Sequence, residues 1–276
     1  MSAHENAAGN EAPVQEGGQR EAAAVSIAQG DLVAGLARGL AVIESFDDEH
    51  PRQSIAEVAR RASLSRSAAR RHLLSLVHFG YADTDGRRFW LLPRVLRLGQ
   101  SYLSSARLPR LVQPFAQRVS QATGETVNVS VLDGHEVVYI ARSNPPRHLA
   151  VGYAVGARVP AHVVTPGPVI LSTWSEAALV RWIAEHPFTK FTAKTVIERD
   201  VFLDEVRQAR EQGFWVTVGQ YDASFAGIAV ALVDRRGHCH GAMSTTVLAS
   251  LYTPERMVRE LLPHLREAAQ TLRSIL

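Results

Sequence analysis

The first apolar pattern along the chain is helical. Leucine or isoleucine recurs every three or four residues, at Leu32, Leu36, Leu40 and Ile43. This spacing predicts a first helix over residues 32–46, and Asp31 is placed to act as its N-cap. The segment 47–53 that follows is acidic and contains a proline, so we expect the helix to end there.

Two more capped helices are predicted, separated by a tight turn. Ser54 and Glu57 form a Ser-x-x-Glu capping box before a short helix over residues 55–62. Ser65 then caps a third helix, whose apolar stripe consists of Ala69, Leu73, Leu76 and Gly80. A short helix, a tight turn and a second helix are typical of a helix-turn-helix unit.

The front of the third helix carries positive charge on the side that its apolar stripe does not use. Arg66 and Arg70 lie one helical turn apart, with Ser67 and Arg71 beside them. Side chains at the start of a recognition helix contact base edges in the DNA major groove. We therefore interpret these four residues as DNA-binding, although arginines on a merely solvated surface would look similar.

A β-hairpin is predicted directly after this helix, over residues 81–92, with its turn at Asp85-Gly86. Such a hairpin is the wing of a winged helix-turn-helix, and its tip carries Arg87 and Arg88, which we expect to reach phosphates or the minor groove. Ser54 and Ser65 stand at helix N-termini, where backbone N–H groups also bind phosphate.

The pattern then changes to a second, larger domain. Pro93 opens a linker helix that we expect Pro109 to end. Beyond it, strands paired in hairpins are grouped with amphipathic helices, which predicts an α+β fold with an antiparallel sheet. The predicted organisation is a disordered tail over 1–30, a DNA-binding domain over 31–92, a linker helix over 93–109 and a second domain over 110–276.

The composition of the chain indicates its cellular compartment and the charge of its partner. The chain has 276 residues, a net charge of +3 and one cysteine, which excludes an internal disulfide and favours a reducing cytoplasm. Residues 31–110 contain thirteen Arg against eight Asp and Glu, a local excess of five positive charges that favours a polyanionic partner. We expect no membrane span, because no apolar run approaches about 20 residues, and no secretory signal at the N-terminus.

Little in the sequence favours an enzyme or a cofactor. It contains no Gly-x-Ser-x-Gly, no phosphate-binding Gly-x-x-x-x-Gly-Lys and no Gly-x-Gly-x-x-Gly motif. His238 and His240 flank Cys239, but alternation along a strand turns the two histidines one way and the cysteine the other. We therefore expect no bound metal there, no cofactor and no catalytic residue.

Several segments resemble the IclR family of bacterial transcriptional regulators, above all those of aromatic catabolism that respond to protocatechuate and 4-hydroxybenzoate. They are LARGLAVIESF, IAEVARRASLSRSAARRHLLSLVHFGY, DGRRFWLLPRVLRLGQSYLSS, VLDGHEVVYIAR and VGARVPAHVVTPG. The resemblance implies a winged helix-turn-helix, a linker helix and a ligand-sensing domain. It also implies homodimers, or pairs of dimers as homotetramers, on a double-stranded DNA operator, controlled by a small organic acid.

The resemblance also implies where that acid binds. The family's pocket regions fall on the loop bearing Thr165, Pro166 and Gly167, on the segment from Thr217 to Gly227, and on the strand bearing Ser244 and Thr246. Ser244 and Thr246 are two residues apart and so share one face of their strand. Arg158 and His162 are further candidates for pairing with a ligand carboxylate.

The pocket segments depart from the aromatic-pathway relatives. Pro166-Gly167-Pro168 stands where those relatives have Met-Gly-Arg, and Gln220-Tyr221-Asp222 where they have Glu-Leu-Glu. These differences leave the identity of the acid open. Two alternatives also stay open: a ligand-independent DNA-binding protein whose second domain only oligomerises, and an enzyme that acts on the small ligand.

Overall fold

The computed structural model describes residues 28–145 and 152–276. The predicted disordered tail over 1–30 lies outside this range except for its last three residues. The described chain divides after Arg110 into two compact units, which are treated separately below. Among the described helices, none is both long and apolar enough to cross a bilayer.

The N-terminal unit is a set of short helices followed by a hairpin. Its elements are α1 (Ala34–Glu44), α2 (Ile55–Arg61), α3 (Arg66–His78), β1 (Ala82–Thr84), β2 (Phe89–Leu91) and α4 (Leu96–Ser105). The two strands pair antiparallel, as predicted, with Asp83 opposite Trp90. Order and approximate bounds follow the prediction of a winged helix-turn-helix.

The caps that fix this unit are those predicted from the sequence. The Ser54 hydroxyl accepts from the Glu57 N–H, while Glu57 Oε2 accepts from the Ser54 N–H at 2.7 Å. Ser65 accepts from the Ala68 N–H at 3.2 Å and so starts α3. Between these helices Ser63 has a φ of 53°, which makes the tight turn. The core beneath consists of Val42, Val58, Ala59, Ala69, Leu73 and Phe89.

Helix α1 differs from its prediction in two respects. Its N-cap is Val33 rather than Asp31, which lies in a short 3-10 helix over Gln29–Asp31. Its buried residue is Val42, whereas Leu32, Leu36 and Leu40 are 57%, 65% and 42% exposed. The leucines that recur at helical spacing therefore form an apolar face that is exposed and not part of the core. On α3 the predicted stripe holds for Ala69, Leu73 and Leu76, but Gly80 lies beyond the helix end.

The linker helix predicted to end at Pro109 was wrongly bounded. Pro93 opens a 3-10 turn, α4 ends at Ser105, and a new helix, α5 (Arg107–Thr123), begins two residues later. Pro109 is the third residue of α5. Proline is tolerated in the first turn because its missing N–H would have no partner there anyway.

The C-terminal unit is built on a six-stranded sheet. Its strands are β3 (Thr126–Asp133), β4 (Glu136–Ser143), β5 (Arg158–Pro160), β6 (Trp215–Val218), β7 (Phe225–Val233) and β8 (Cys239–Leu248). They are ordered β5-β4-β3-β8-β7-β6, and every neighbouring pair is antiparallel. This confirms the predicted α+β fold with an antiparallel sheet.

Helices accompany this sheet. They are α6 (Pro166–Leu171), α7 (Glu176–Glu185), α8 (Arg199–Gln212), α9 (Pro254–Glu260) and α10 (Leu262–Leu272). Thr253 caps α9, and the C-terminal helical segment is interrupted at Leu261, two residues before Pro263. The main core packs α7 and α8 against β4 and β5, with Tyr139, Trp182 and Phe202 among its buried side chains.

Candidate functional site

The first candidate site is the exposed face of α3. Arg66, Ser67, Arg70 and Arg71 are all exposed. Among the described residues, none of the three arginine side chains has a hydrogen-bond or ion-pair partner. Ser67 shares a 3.1 Å hydroxyl contact with Ser65. Three exposed guanidinium groups therefore lie together at the start of a helix whose opposite side, at Ala69 and Leu73, is fully buried.

Arg61, in the same unit, is a useful comparison because its side chain has a structural role. Arg61 donates its Nε to the Ser45 carbonyl at 2.7 Å and forms an ion pair with Asp47. Its guanidinium therefore holds the end of α1 and the loop after it. The contrast supports the view that the arginines of α3 are kept available for a partner outside the chain.

The hairpin tip presents two more arginines. Asp85 Oδ1 accepts from the backbone N–H groups of Arg87 and Arg88 at 2.9 and 2.7 Å, and Gly86 has the positive φ of 88° that the turn needs. These hydrogen bonds, that from Arg88 first, lower the pKa of the Asp85 carboxyl. Both side chains are exposed, and that of Arg88 donates at 3.4 Å to the Arg52 carbonyl.

The second candidate site is a cavity between the sheet and the start of α6, here called the sheet cavity. Its volume is about 30 Å³, about the room of one water molecule. Polar and aromatic side chains dominate its wall. The lining residues are Tyr139, Tyr153, Val163, Val164, Thr165, Pro166, Thr217, Gln220, Tyr221, Asp222, Phe225, Ala226, Gly227, Ser244, Thr245 and Thr246.

Six of the nine residues predicted for ligand binding meet in this cavity: Thr165, Pro166, Thr217, Gly227, Ser244 and Thr246. The hydroxyls of Thr165 and Thr217 are 2.6 Å apart, and Thr246 accepts from Asn128 Nδ2 at 3.2 Å. One hydroxyl of the Thr165–Thr217 pair donates its hydrogen to the other. The O–H of the accepting threonine therefore remains available to donate to a ligand. The Thr246 O–H is likewise available to a ligand oxygen.

Gly227 keeps the cavity open. A Cβ at this position would lie 2.9 Å from Thr165 Oγ1 and 2.7 Å from the Thr245 carbonyl. Any side chain there would press into both walls. Three tyrosines also line the site, of which the sequence analysis named only Tyr221: Tyr139 stacks on Tyr153 at 4.7 Å, and Tyr153 contacts Tyr221 at 5.8 Å. Tyr139 lies in a continuous apolar run over residues 137–141 of β4, a sequence signal for a buried strand but not for a cavity wall.

Arg158 and His162 do not line the sheet cavity, so the structure does not support their predicted role as carboxylate partners. Arg158 donates to Glu136 at 2.7 Å and to Asp133 at 2.9 Å, and its positive charge is neutralised there. His162 is buried and donates its Nε2 N–H to the Thr189 carbonyl at 3.0 Å, while its Nδ1 lies 2.7 Å from His186 Nε2. Burial lowers the pKa of both histidines, that of His186 to about 3.

Gly167, the third predicted ligand residue outside the cavity, is required by packing. A Cβ there would lie 1.8 Å from the Ala161 carbonyl oxygen. We predict that Gly167→Ala destabilises the C-terminal unit by about 1–3 kcal/mol or more, because the backbone must shift to admit the methyl group. Thermal or urea unfolding measures the loss.

Gly99→Ala is the matched control for this prediction. Gly99 lies inside α4, and a Cβ there would contact nothing within 4 Å. Alanine favours a helix over glycine by about 1 kcal/mol, so this variant is expected to be neutral or more stable. Equal stability of Gly167→Ala and the parent chain would contradict the assigned close approach.

The His-Cys-His sequence has a plain structural role. His238 and His240 both contact Asp234 Oδ2, at 3.2 and 3.3 Å, while the Cys239 thiol donates to the Gly241 carbonyl. The two histidines thus face one side and the cysteine another, as predicted. Within the described parts of the chain, no cluster of three or more His, Cys, Asp or Glu side chains is suited to a metal ion.

Comparison with known proteins identifies a family that combines these two domains. The model of the IclR helix-turn-helix domain matches residues 35–86, and that of the bacterial transcriptional regulator IclR C-terminal domain matches residues 100–274. The chain belongs to the IclR family. As an IclR-family protein it is a DNA-binding transcriptional regulator, and its α3 and hairpin fall inside the matched helix-turn-helix region.

Three relatives show how far the similarity extends. The p-hydroxybenzoate hydroxylase transcriptional activator of Acinetobacter baylyi is 36% identical over 89% of this chain and 92% of its own. A putative transcriptional regulator from Rhodococcus sp. RHA1 has a crystal structure with a TM-score of 0.74 at 35% identity, covering 88% of this chain and 97% of that one.

The third relative is an inducer-binding domain. A double mutant of this domain of the PobR transcription factor from Acinetobacter was solved as a complex with 3-hydroxybenzoic acid. It matches 62% of this chain and all of its own length at 27% identity, with a TM-score of 0.59. The relatives are regulators, and this one carries an aromatic acid in the domain that corresponds to the C-terminal unit.

Proposed function

We infer that this protein regulates transcription by binding a specific double-stranded DNA operator and releasing or tightening it in response to a small aromatic acid. The observation that carries the DNA-binding part is the free display of Arg66 and Arg70 on the first turns of a correctly capped α3. Arginine at such positions makes bidentate contacts to guanine, whereas Arg87 and Arg88 on the wing bind phosphate. Ser54 and Ser65 add backbone N–H groups at helix N-termini.

The sheet cavity is the proposed effector site. Its hydroxyl groups suit the oxygens of a carboxylate or phenol, and its tyrosines suit an aromatic ring. A cavity of about 30 Å³ is too small for a benzene ring, so we expect its lining to move when an effector enters. Binding therefore changes the C-terminal unit, which is what a sensor requires. Coupling of this kind is typically worth about 1–3 kcal/mol in operator affinity.

A thermal-shift screen of aromatic and dicarboxylic acids tests the effector proposal. A true effector stabilises the protein by about 2.7 kcal/mol at 100 times its dissociation constant. The effector should be recovered unchanged after incubation, because we propose regulation in the cytoplasm without catalysis. Stabilisation by none of these acids would leave a ligand-independent DNA-binding protein, and a chemically altered acid would indicate an enzyme.

We also infer that the protein acts as a homodimer, joined in part through the N-terminal unit, with a tetramer as a further assembly. Leu36 and Leu40 of α1 are exposed together with Leu32 and Val33 just before it, and α4 exposes Leu96 and Tyr102. Apolar faces of this extent in a soluble regulator mark protein contacts. A second copy is the simplest occupant, since two DNA-binding heads related by a twofold axis fit a palindromic operator.

Leu36→Glu should therefore shift the protein to a smaller species in light scattering and weaken operator binding, because a charge buried in the interface is costly. Val180→Glu is the control, since Val180 is also exposed but lies on α7 in the other unit. A dimer that persists in Leu36→Glu, or that is lost equally in both variants, would contradict an interface at α1.

A further inference from the structure

Residues 187–198 form the loop between α7 and α8, here called the α7–α8 loop, which lies against one wall of the sheet cavity. The Thr195 hydroxyl donates to the Gln220 carbonyl at 2.6 Å, and the ring of Phe191 lies 4.9 Å from that of Tyr221. Both partners belong to the segment after β6 that lines the cavity. The position of this loop therefore determines the position of that wall.

Two buried histidines anchor the loop at its start. His186, the residue directly after α7, is 1% exposed, and His162 is fully buried. His186 Nε2 lies 2.7 Å from His162 Nδ1, and His162 Nε2 lies 3.0 Å from the Thr189 carbonyl oxygen. Phe188 makes edge contacts to both rings. These contacts tie the first residues of the loop to the 3-10 turn that precedes α6.

The same contacts determine which ring nitrogens carry hydrogen. A carbonyl oxygen only accepts, so His162 Nε2 carries the hydrogen in its bond to Thr189. The Nδ1 of a neutral His162 is then an acceptor, and His186 Nε2 carries the hydrogen between the two rings. His186 Nδ1 is left without a hydrogen. It is shielded from solvent and has no hydrogen-bond partner among the described residues.

The pair has no suitable position for a further proton. A proton added to His186 binds at Nδ1. A proton added to His162 binds at its Nδ1 and reverses the bond between the rings, because His186 Nε2 must then accept and the hydrogen of His186 moves to its own Nδ1. In both cases His186 Nδ1 becomes a buried donor without an acceptor, which is unfavourable. The closed loop therefore requires both histidines to be neutral.

The groups around the pair also disfavour a positive charge. His186 faces His135 from the turn between β3 and β4, at 5.2 Å between ring centres, and Arg199 from α8. The other rings that contact His162 belong to phenylalanines. None of these groups is a carboxylate. Burial, followed by the nearby histidines and Arg199, lowers the pKa of His186 to about 3, and burial lowers the pKa of His162.

We propose that the His162–His186 pair is an acid-sensitive lock, which holds the α7–α8 loop against the cavity wall at neutral pH and releases it when protonated in mildly acidic solution. The C-terminal unit then responds to pH, and this response does not require the effector proposed above.

The direction of the pH dependence follows from the two states of the loop. In the released loop the histidines meet water, where the pKa of histidine is about 6.5. The open form therefore binds protons that the closed form does not. The closed form is fully favoured above about pH 7, and it loses stability relative to the open form as the pH falls below about 6.5.

Hydrogen exchange with mass spectrometry on the full-length protein measures this opening. The informative amides are those of Phe191 and Thr192, which donate to the Thr195 hydroxyl in the closed loop. After correction for the pH dependence of the exchange reaction itself, their exchange should be about tenfold faster at pH 5.5 than at pH 7.5 if one histidine takes up a proton. The ratio should be about 100-fold if both do.

Cleavage by a lysine-specific protease gives a second readout of the same opening. The only two lysines of the sequence, Lys190 and Lys194, both lie in this loop, so every cut reports on it. Cleavage rates are normalised to an unstructured peptide at each pH, and they should rise with the exchange rates.

Variants show whether the pair is responsible for the ratio. His162→Gln with His186→Phe removes both titrating groups and should bring the ratio of the two exchange rates close to one. His186→Gln, a milder change, keeps an N–H donor for His162 and should also lower the ratio. His264→Gln is the control, since His264 lies on α10, and it should keep the wild-type ratio. A merely structural role of the pair would speed exchange equally at both pH values and leave the ratio unchanged.

Three results would overturn the proposal. The first is equal corrected exchange of the loop in the wild-type protein at pH 5.5 and 7.5. The second is a wild-type ratio in the double variant or, if that variant does not fold, in His186→Gln. The third is an equal acceleration of all segments of the C-terminal unit at pH 5.5, because acid would then unfold the whole unit instead of releasing the loop.

Discussion

Replacing both Arg66 and Arg70 with alanine is expected to weaken binding to the operator by about 2–6 kcal/mol, since each bidentate contact between an arginine and a base contributes about 1–3 kcal/mol of discrimination. Binding to unrelated duplexes should change much less. The fold should survive, because neither side chain has a partner within the described chain and both are exposed. Fluorescence anisotropy on the operator and on a scrambled duplex measures both affinities.

Arg87→Ala is the matched control for this pair. Arg87 is also exposed, but it lies at the hairpin tip, where we propose contact with phosphate rather than with bases. This variant should weaken all duplexes alike and reduce the dependence of log affinity on log salt by about one. The contradicting result is that both the α3 double variant and Arg87→Ala lose as much affinity for the operator as for the scrambled duplex. The proposed division, with bases contacted by α3 and phosphates by the hairpin tip, would then be wrong.

The second large effect is expected in the sheet cavity. The double substitution Ser244→Ala with Thr246→Val should weaken effector binding by about 1–3 kcal/mol, because two hydroxyl donors are removed from the site. Operator binding without effector should stay unchanged, since the arginines proposed to contact DNA belong to the other unit. Calorimetry with the acid found in the screen gives the first quantity, and anisotropy gives the second.

Thr271→Val is the control for the loss of a hydroxyl. Thr271 lies on α10, and its hydroxyl donates to the Glu267 carbonyl of the same helix. Its removal should affect neither the effector nor the operator. An unchanged effector affinity in the Ser244 and Thr246 variant, with a normal thermal transition, would exclude the sheet cavity as the effector site.

The DNA-binding unit was predictable because its determinants are local. Ser54 with Glu57, and Ser65, specify two helix starts through contacts within three residues, and Asp85-Gly86 specifies a hairpin. The prediction was wrong where local patterns have two meanings. Leucines that recur at helical spacing give the same sequence pattern whether their face packs inside the unit or stays exposed, as it does on α1. A proline near a helix end looks alike whether it stops one helix or sits in the first turn of the next.

The sheet cavity was only partly predictable, because it depends on contacts between distant segments. Thr165, Thr217, Ser244 and Thr246 were predicted from the family resemblance, and alternation along one strand agreed with it for Ser244 and Thr246. Arg158 lies outside the cavity, paired with two carboxylates at the turn of the β3–β4 hairpin, more than 20 residues earlier in the chain. His162 also lies outside the cavity, in contact with His186, which is 24 residues away in the sequence and joins it only in the folded core. No spacing pattern in the sequence predicts the contacts of Arg158 with its carboxylates or of His162 with His186.

One titration tests the central claim most directly. The full-length protein is bound to a fluorescent duplex from the promoter region next to its own gene, and the aromatic acid selected by thermal shift is added in steps. The account predicts sequence-specific binding whose affinity changes about 5- to 150-fold at saturation with the acid, corresponding to 1–3 kcal/mol of coupling. Failure to prefer that duplex over a scrambled one, or an operator affinity that the acid leaves unchanged, would contradict it.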